Sequence, residues 1–440
     1  MTSTEPTPRR RDIQRRAAPR RSATPSSGHV HAHSHGHAHG GDAPPLPATR
    51  RVRVTLAAFL VPALLATIAG VLLLWPASSD VPPRIPVAAE GSSVLYATVT
   101  GPVEEVTGAV PADLDGEAIE VLAPPEYVAY GFEVGDRIKL LYIEQAAASG
   151  SPYVFLDFER GIPIGILAIA YAAVVLAVAR WRGLAALAGL VLAFIMIAQF
   201  TLPALLTGQH ALGVALVTSS AVMFVVLYVA HGFTARTSTA LLGTLIGLGV
   251  TAWLAMWGAS ASNVTGLTSE ESLWLPQYAP TIDIRGVVVC GIVLAGMGVL
   301  NDVTITQASA VWELRAVAPL ATRLDLFRRA MRIGRDHIAS TVYTIAFAYV
   351  GAALPLLMAV YLSDQNIGAS LTAGEIAEEV VRTLVGSIGL VLAIPITTAI
   401  AALTVPDAPA AADDAPDAPP EADGRESGDG VQRVVDSTTQ

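Results

Sequence analysis

The sequence is poor in charged, aromatic and cysteine residues. Charged residues make up 15% and aromatic residues 6% of the 440 residues, whereas 52% are hydrophobic and the mean hydropathy is +0.53. A chain this apolar is not an ordinary soluble protein, so lipid is expected to be its main solvent. The single cysteine, Cys290, excludes an intrachain disulfide and a cysteine-based metal cluster, and inside an apolar run it is expected to be a small core residue.

Motifs for catalysis are also absent from the sequence. No glycine-rich phosphate loop, nucleophile elbow or HExxH-type motif occurs, so an enzyme is the least favoured function and no cofactor is required. Nucleic-acid binding is not favoured either. The basic N-terminal run has a simpler use, which is to fix membrane orientation and contact anionic lipid.

Long hydrophobic runs are the main feature of the sequence. Crossing a hydrocarbon core of about 30 Å takes roughly 20 apolar helical residues. Runs of this kind occupy residues 54–75, 162–179, 184–206, 211–230, 239–258, 286–311, 338–361 and 380–404. They predict an α-helical polytopic membrane protein with about eight transmembrane helices. The first run is interpreted as an uncleaved anchor rather than a signal peptide, and the short connection at 202–210 leaves open a re-entrant pair for spans three and four.

Charge is sorted along the chain in a way that predicts orientation. Residues 1–53 hold 10 Arg against 3 acids, and residues 76–160 hold 14 acids against 4 bases. Arginines also follow the second, fourth and sixth runs. Because basic residues concentrate on the cytoplasmic side, both termini are predicted to be cytoplasmic. The bias towards Ala, Arg and Val suggests a bacterial genome, so the membrane is expected to be a bacterial inner (plasma) membrane.

A small extracytoplasmic β-rich domain is predicted between the first two helices. Residues 93–106, 117–122, 127–143 and 153–159 are rich in Val, Tyr, Phe and Ile and are separated by Gly, Pro and Asp, which is typical of short strands. The predicted organisation is a disordered basic, His-rich tail at 1–53, the first helix at 54–75, the β-rich domain at 76–160, a seven-helix region at 161–405 and a disordered acidic tail at 406–440.

Polar residues in the sixth span require an explanation, because an ionisable group in a bilayer costs at least about 2.5–3.5 kcal/mol. Asp302, Thr306, Ser309 and Glu313 follow helical spacing and form one stripe. One interpretation is a cation-binding or proton-relay carboxylate, helped by the nearby glycines at 296 and 298. The other is an interhelical contact that only holds helices together.

The seventh and eighth spans begin with further charged residues. Asp336 and His337 are candidates for a metal or proton site with Asp302, although an anion at a helix start has a simpler explanation. In the eighth span Glu378 and Arg382 have the spacing of an intrahelical ion pair.

A histidine tract precedes the first helix. Its members alternate with small residues and are His29, His31, His33, His35, His37 and His39. Such a tract binds zinc, nickel or copper weakly and without fixed geometry, so it suits a metal buffer or sensor. Low-complexity drift without a role is the alternative.

Three segments resemble the YibE/F-like family of multi-pass bacterial membrane proteins. They are residues 296–314 (GMGVLNDVTITQASAVWEL), 334–344 (GRDHIASTVYT, leading into 351–355) and 379–389 (EVVRTLVGSIG). The likeness extends over roughly residues 90–405. It implies a membrane protein with an extracytoplasmic β domain and no established substrate. This chain has Asn301 and Asp302 where the family commonly has two acids.

The sequence supports two functional hypotheses. The first is a permease or transport-associated protein with a polar site in helices six to eight, handling a divalent metal or another small solute. Its candidate residues are Asn301, Asp302, Thr306, Gln307, Glu313, Arg335, Asp336, His337 and Arg382. The alternative is a non-transporting scaffold or envelope-assembly protein whose outer β domain binds a protein partner. In either case the lipid bilayer is a partner, and the sequence does not define the oligomeric state.

The metal hypothesis predicts a change in cellular metal content. In a deletion strain, total zinc, nickel, copper, manganese or magnesium should shift, and the wild-type gene should restore it while Asp302→Asn does not. Failure of a chain lacking residues 29–39 to restore it would add a metal-sensing role for the tract. Unchanged contents of all five metals in every strain, measured by mass spectrometry, would exclude metal permeation.

Overall fold

The computed structural model describes residues 48–86, 88, 91–144, 150–363 and 366–406. The histidine tract and nearly all of the two predicted tails therefore lie outside the described residues. Twelve α-helices occur in the described part of the chain: α1 Arg50–Leu74, α2 Pro125–Tyr130, α3 Gly161–Met196, α4 Leu202–Leu206, α5 Ala211–His231, α6 Ala235–Ala261, α7 Glu270–Tyr278, α8 Ile284–Val317, α9 Arg323–Ala352, α10 Leu354–Leu362, α11 Ile367–Leu371 and α12 Gly374–Thr404.

Six helical stretches of the described chain are long and apolar enough to cross a membrane. They are Arg50–Leu74, Gly161–Leu206, Ala211–His231, Ala235–Ala261, Ile284–Val317 and Gly374–Thr404, and α9 with α10 makes a seventh if this pair, bent by 67°, is one span. The sequence predicted eight. The difference arises because one 46-residue stretch covers both predicted spans 162–179 and 184–206.

That stretch is not straight. Arg180 has φ 52° and ψ −129°, which are not helical angles. A Cβ built on Gly183 would lie 2.6 Å from the carbonyl oxygen of Val175, although these residues would be about 12 Å apart along a continuous helix. The chain therefore turns back sharply at Arg180. Glycine at 183 permits the close approach of the two segments.

The residues between α1 and α3 form a closed five-stranded barrel. Its strands are β1 Ser92–Val99, β2 Ala109–Leu114, β3 Glu117–Leu122, β4 Arg137–Ile143 and β5 Tyr153–Phe158, in the order β1-β2-β3-β5-β4. β3 and β5 pair in parallel and the other pairs are antiparallel. With α2 between β3 and β4, this is the connectivity of an OB-fold. Its core contains Val99, Val110, Val121, Ile138 and Leu140, each at most 1% exposed.

The strand predicted at 93–106 ends at Val99, β2 was not predicted, and the predicted start of the strand at 127–143 is wrong. Residues 127–130 belong to α2 rather than to a strand, because the helix begins at Pro125, whose fixed φ suits the first helical position. The strand begins only at Arg137. The tyrosine of this helix, Tyr127, packs against the Phe155 ring at 4.8 Å between centroids and so closes one end of the barrel core.

Glycines bring α6, α8 and α12 together in the helical part. A Cβ on Gly247 of α6 would lie 3.1 Å from Leu300 of α8 and 3.2 Å from Ala393 of α12. Thr244 of α6 lies 2.7 Å, hydroxyl to hydroxyl, from Thr304 of α8. α6 therefore runs antiparallel to both other helices at close range. Small side chains are what permits this, since a bulky residue would separate the backbones.

The glycines that the sequence analysis singled out do not all take part in this packing. Gly296 and Gly389 both face Thr251, and a Cβ on Gly389 would overlap the threonine side chain. Gly298 and Gly386 have open space where a Cβ would lie. Gly296 and Gly389 therefore make close helix contacts, whereas Gly298 and Gly386 do not.

Gly389 and Gly386, both on α12, provide a matched test of the α6–α12 packing. Gly389→Val should lower the free energy of unfolding by about 1–3 kcal/mol, because the added methyl groups overpack the α6–α12 contact. Gly386→Val should have little effect, since its Cβ meets no atom within 4 Å. Thermal unfolding of the purified variants in detergent measures both. Equal destabilisation by the two substitutions would contradict the α6–α12 contact.

Candidate functional site

Two polar clefts lie at different levels of α8. The first, here the Asp302 cleft, has a volume of 580 Å³ and is lined by Arg182, Ala230, His231, Arg236, Asp302, Ile305, Thr306 and Ser309. The second, here the Glu378 cleft, has a volume of 830 Å³, and its polar lining is Thr268, Ser269, Glu271, Ser272, Glu375, Glu378, Glu379 and Arg382. Residues from the first two turns of α8, Ile284 to Gly291, also line the second cleft.

Three of the four residues of the predicted polar stripe line one wall of the Asp302 cleft. Asp302, Thr306 and Ser309 lie on it together. The Thr306 hydroxyl donates a hydrogen bond of 2.7 Å to the Asp302 carbonyl, which fixes its rotamer along the helix. The Asp302 carboxylate is 71% exposed, so it lies open in the cleft rather than sequestered between helices.

Helix α9 supplies the nearest cationic partner of Asp302. His337 Nε2 lies 3.7 Å from Asp302 Oδ2, which is an ion pair when the imidazole is protonated but too long for a hydrogen bond. Asp336 and Arg335, on the same helix, are exposed and do not line the cleft. Of the three predicted α9 residues, only His337 therefore approaches Asp302. Among the described residues no group of three or more His, Cys, Asp or Glu side chains is arranged to hold a metal ion.

The opposite wall of the Asp302 cleft was not predicted as part of a site. Arg182 comes from the α3 segment after the turn, His231 from the end of α5 and Arg236 from the first turn of α6. The sequence analysis used the arginines after spans two and four only to assign orientation. Arg236 Nη1 lies 3.8 Å from Glu313 Oε1, so Glu313 stands at the rim of this cleft.

Two predicted residues of α8 face the helix core instead. Gln307 is fully buried, and its Oε1 accepts a hydrogen bond of 3.0 Å from the Thr398 hydroxyl of α12. Its Nε2 has no hydrogen-bond partner within the described part of the chain, and neither does Asn301 Oδ1. Gly334 of α9 makes room for this amide, because a Cβ there would lie 3.1 Å from Gln307 Nε2.

Arg382 lies in the Glu378 cleft and not with Asp302. Its Nε is 3.1 Å from Glu379 Oε2, one residue closer along the helix than the predicted partner Glu378. The Glu378 side chain turns inward, is nine-tenths buried, and accepts a hydrogen bond of 2.9 Å at Oε1 from the Gly266 N–H. The predicted Glu378–Arg382 pair is therefore wrong, because Glu378 anchors the loop between α6 and α7.

The apolar helices and the attached barrel define a helical membrane protein with an OB-like domain. The first segment of α3 illustrates the need for lipid, since Ile169 is 71% and Val178 81% exposed without any covering element among the described residues. A family model for YibE/F-like proteins matches residues 167–407, which include both clefts. The chain belongs to the YibE/F-like family, as the sequence motifs indicated. No curated protein and no solved structure matches the chain.

The buried Glu378 contact predicts different outcomes for two substitutions. Glu378→Ala should destabilise the protein by about 1–3 kcal/mol, because the Gly266 N–H loses its acceptor inside the protein. Glu378→Gln retains a carbonyl acceptor at the same place and should lose much less. Thermal unfolding in detergent, with the exposed Glu375→Ala as control, compares them. If Glu378→Ala unfolds at the temperature of the control, Glu378 does not anchor this loop.

Proposed function

We propose that this protein is a permease that moves a small solute along α8, with the two clefts as its opposite vestibules. The observation that carries the proposal is their separation. Gly291 is the last α8 residue of the Glu378 cleft and Asp302 the first of the Asp302 cleft, which leaves about 16 Å of helix between them. A hydrocarbon core measures about 30 Å, so the clefts reduce the barrier to roughly half a membrane.

The septum between the clefts supports a path. It consists of α6, α8 and α12 where they pack through glycine and threonine, and buried polar groups lie at its Asp302 end. Thr397 Oγ and Gln307 Nε2 lack hydrogen-bond partners among the described residues. Such groups are costly in a dry interior unless they acquire a partner during function. A permeating solute or its water is such a partner.

The charge of the Glu378 cleft favours a cation as the solute. Four glutamates, Glu271, Glu375, Glu378 and Glu379, line this cleft together with one arginine, Arg382. A cleft of one dominant sign concentrates counter-ions. At the other end the solute meets the Asp302 carboxylate, with the His337 imidazole 3.7 Å away. The class therefore includes protons and small metal ions, and the activity is transport rather than catalysis.

An eight-crossing topology with both termini cytoplasmic fits these positions. Arg182 lies in the Asp302 cleft, whereas Phe200, later in the same stretch, packs on Trp75 at the end of α1, with 5.6 Å between ring centroids. About 27 Å of helix separates Arg182 from Phe200, which is one crossing. With α9 and α10 counted as one broken span, the number becomes eight. The Asp302 cleft then opens to the cytoplasm of a bacterial inner membrane, and the Glu378 cleft opens outward with the barrel.

Transport through Asp302 is testable in proteoliposomes. With a pH-sensitive dye inside, the wild type should dissipate an imposed proton gradient when at least one of sodium, potassium, manganese or zinc is supplied outside. Asp302→Asn should slow this flux at least tenfold at equal protein content, because the neutral amide no longer exchanges a proton or attracts a cation. Glu270→Gln, on an exposed carboxylate outside both clefts, should retain the wild-type flux.

Equal fluxes for the wild type and Asp302→Asn, or for the wild type and empty liposomes, would contradict the proposal. They would favour a second function, that of an envelope scaffold whose barrel binds a partner. The specific observation behind this alternative is an apolar exposed set on the barrel: Val106 is 93%, Tyr130 80% and Val134 70% exposed.

A further inference from the structure

We propose that the arginine wall of the Asp302 cleft binds a phosphate group, either of a lipid headgroup or of a free phosphate ester. The two arginines are Arg182 and Arg236. The inference concerns binding alone and does not depend on transport.

Neither arginine has a carboxylate within hydrogen-bonding distance among the described residues. Arg182 forms no hydrogen bond or ion pair with another described residue. Arg236 reaches a carboxylate only at 3.8 Å, and its Nε is buried without a hydrogen-bond acceptor. Two guanidinium groups in one cleft therefore retain unused donors. A phosphate has the oxygen geometry that guanidinium forks bind in pairs.

The rest of the cleft fits an oxyanion apart from two carboxylates. Ser309 contributes a hydroxyl that makes no hydrogen bond to another described residue, and Arg236 lies in the N-terminal turn of α6, where the helix dipole favours an anion. Asp302 opposes an anion, but its Oδ2 faces His337 of α9. Glu313 at the rim is a second carboxylate, 3.8 Å from Arg236, so the two guanidinium forks, rather than net charge, would hold the oxyanion.

A neighbouring apolar groove points to lipid as one source of the phosphate. Leu176, Arg180, Trp181 and Leu184 line a groove of 490 Å³ directly beside Arg182 in sequence. Trp181 is 81% exposed, as is typical of a tryptophan at a membrane interface. Basic pockets next to apolar grooves on the cytoplasmic side suit an anionic lipid whose acyl chain lies alongside the headgroup.

The test measures binding to the full-length protein in detergent. Native mass spectrometry compares retention of phosphatidylglycerol with that of phosphatidylcholine, and equilibrium dialysis measures inorganic phosphate. Arg182→Gln combined with Arg236→Gln should weaken phosphatidylglycerol or phosphate binding at least tenfold. Arg329→Gln combined with Arg332→Gln removes the same charge from exposed positions outside the cleft and should change binding less than twofold. Asp302→Asn should tighten binding, because it removes the opposing charge.

The two binding measurements distinguish a lipid headgroup from a free phosphate. Loss of phosphatidylglycerol retention alone assigns a lipid headgroup, and loss of phosphate binding alone assigns a free phosphate. Equal binding by the cleft double variant and the wild type, or equal loss in the control double variant, would overturn the proposal. If the double variant does not fold, Arg182→Gln alone replaces it, because Arg182 is exposed. This single variant should still weaken binding about threefold. Asp302→Asn separates the two proposals, since it should abolish flux while binding tightens.

Discussion

Close packing of α6 against α8 and α12 is the constraint on which the other features depend. Gly247 allows α6 to contact Leu300 and Ala393 at once, and the Thr244–Thr304 hydroxyl contact fixes the register at the same level. Without a hydrophobic driving force between helices in lipid, small residues and such hydroxyl contacts are what hold the bundle. α6 and α12 stay in contact from Thr239 and Thr404 at one end to Gly258 and Val381 at the other, so the polar clefts lie beside this contact.

The same constraint decides which polar side chains act together. α8 runs through the septum, so its residues divide by height into those of the Glu378 cleft, the septum and the Asp302 cleft. Gln307 lies at the height of the Asp302 cleft but faces the helix core, where Thr398 holds it. α9 touches both levels, with His337 near Asp302 and its break at Ala353 on the Glu378 cleft.

Much of this organisation is predictable from sequence, and the rest depends on tertiary contacts. Hydropathy located the apolar helices, and helical spacing put Asp302, Thr306 and Ser309 on one face. Spacing along one helix missed the Arg182 and Arg236 wall, because it carries no information about which loops meet. It also paired Arg382 with the wrong glutamate, since the Gly266 N–H that draws Glu378 inward lies 112 residues away. Alternation predicted the strands other than β2, but not the parallel β3–β5 pair, which is a long-range contact.

The most direct test of the α6–α12 packing in the septum is disulfide formation between the two helices. In a Cys290→Ala background, Gly247→Cys with Ala393→Cys should cross-link on mild oxidation, because a Cβ at 247 would lie 3.2 Å from that of Ala393 and a small adjustment reaches disulfide geometry. Gly249→Cys with Ala393→Cys should not cross-link, since Gly249 faces open space. Gel mobility and thiol titration report both. Cross-linking of the second pair, or failure of the first in folded protein, would contradict a septum built on this packing.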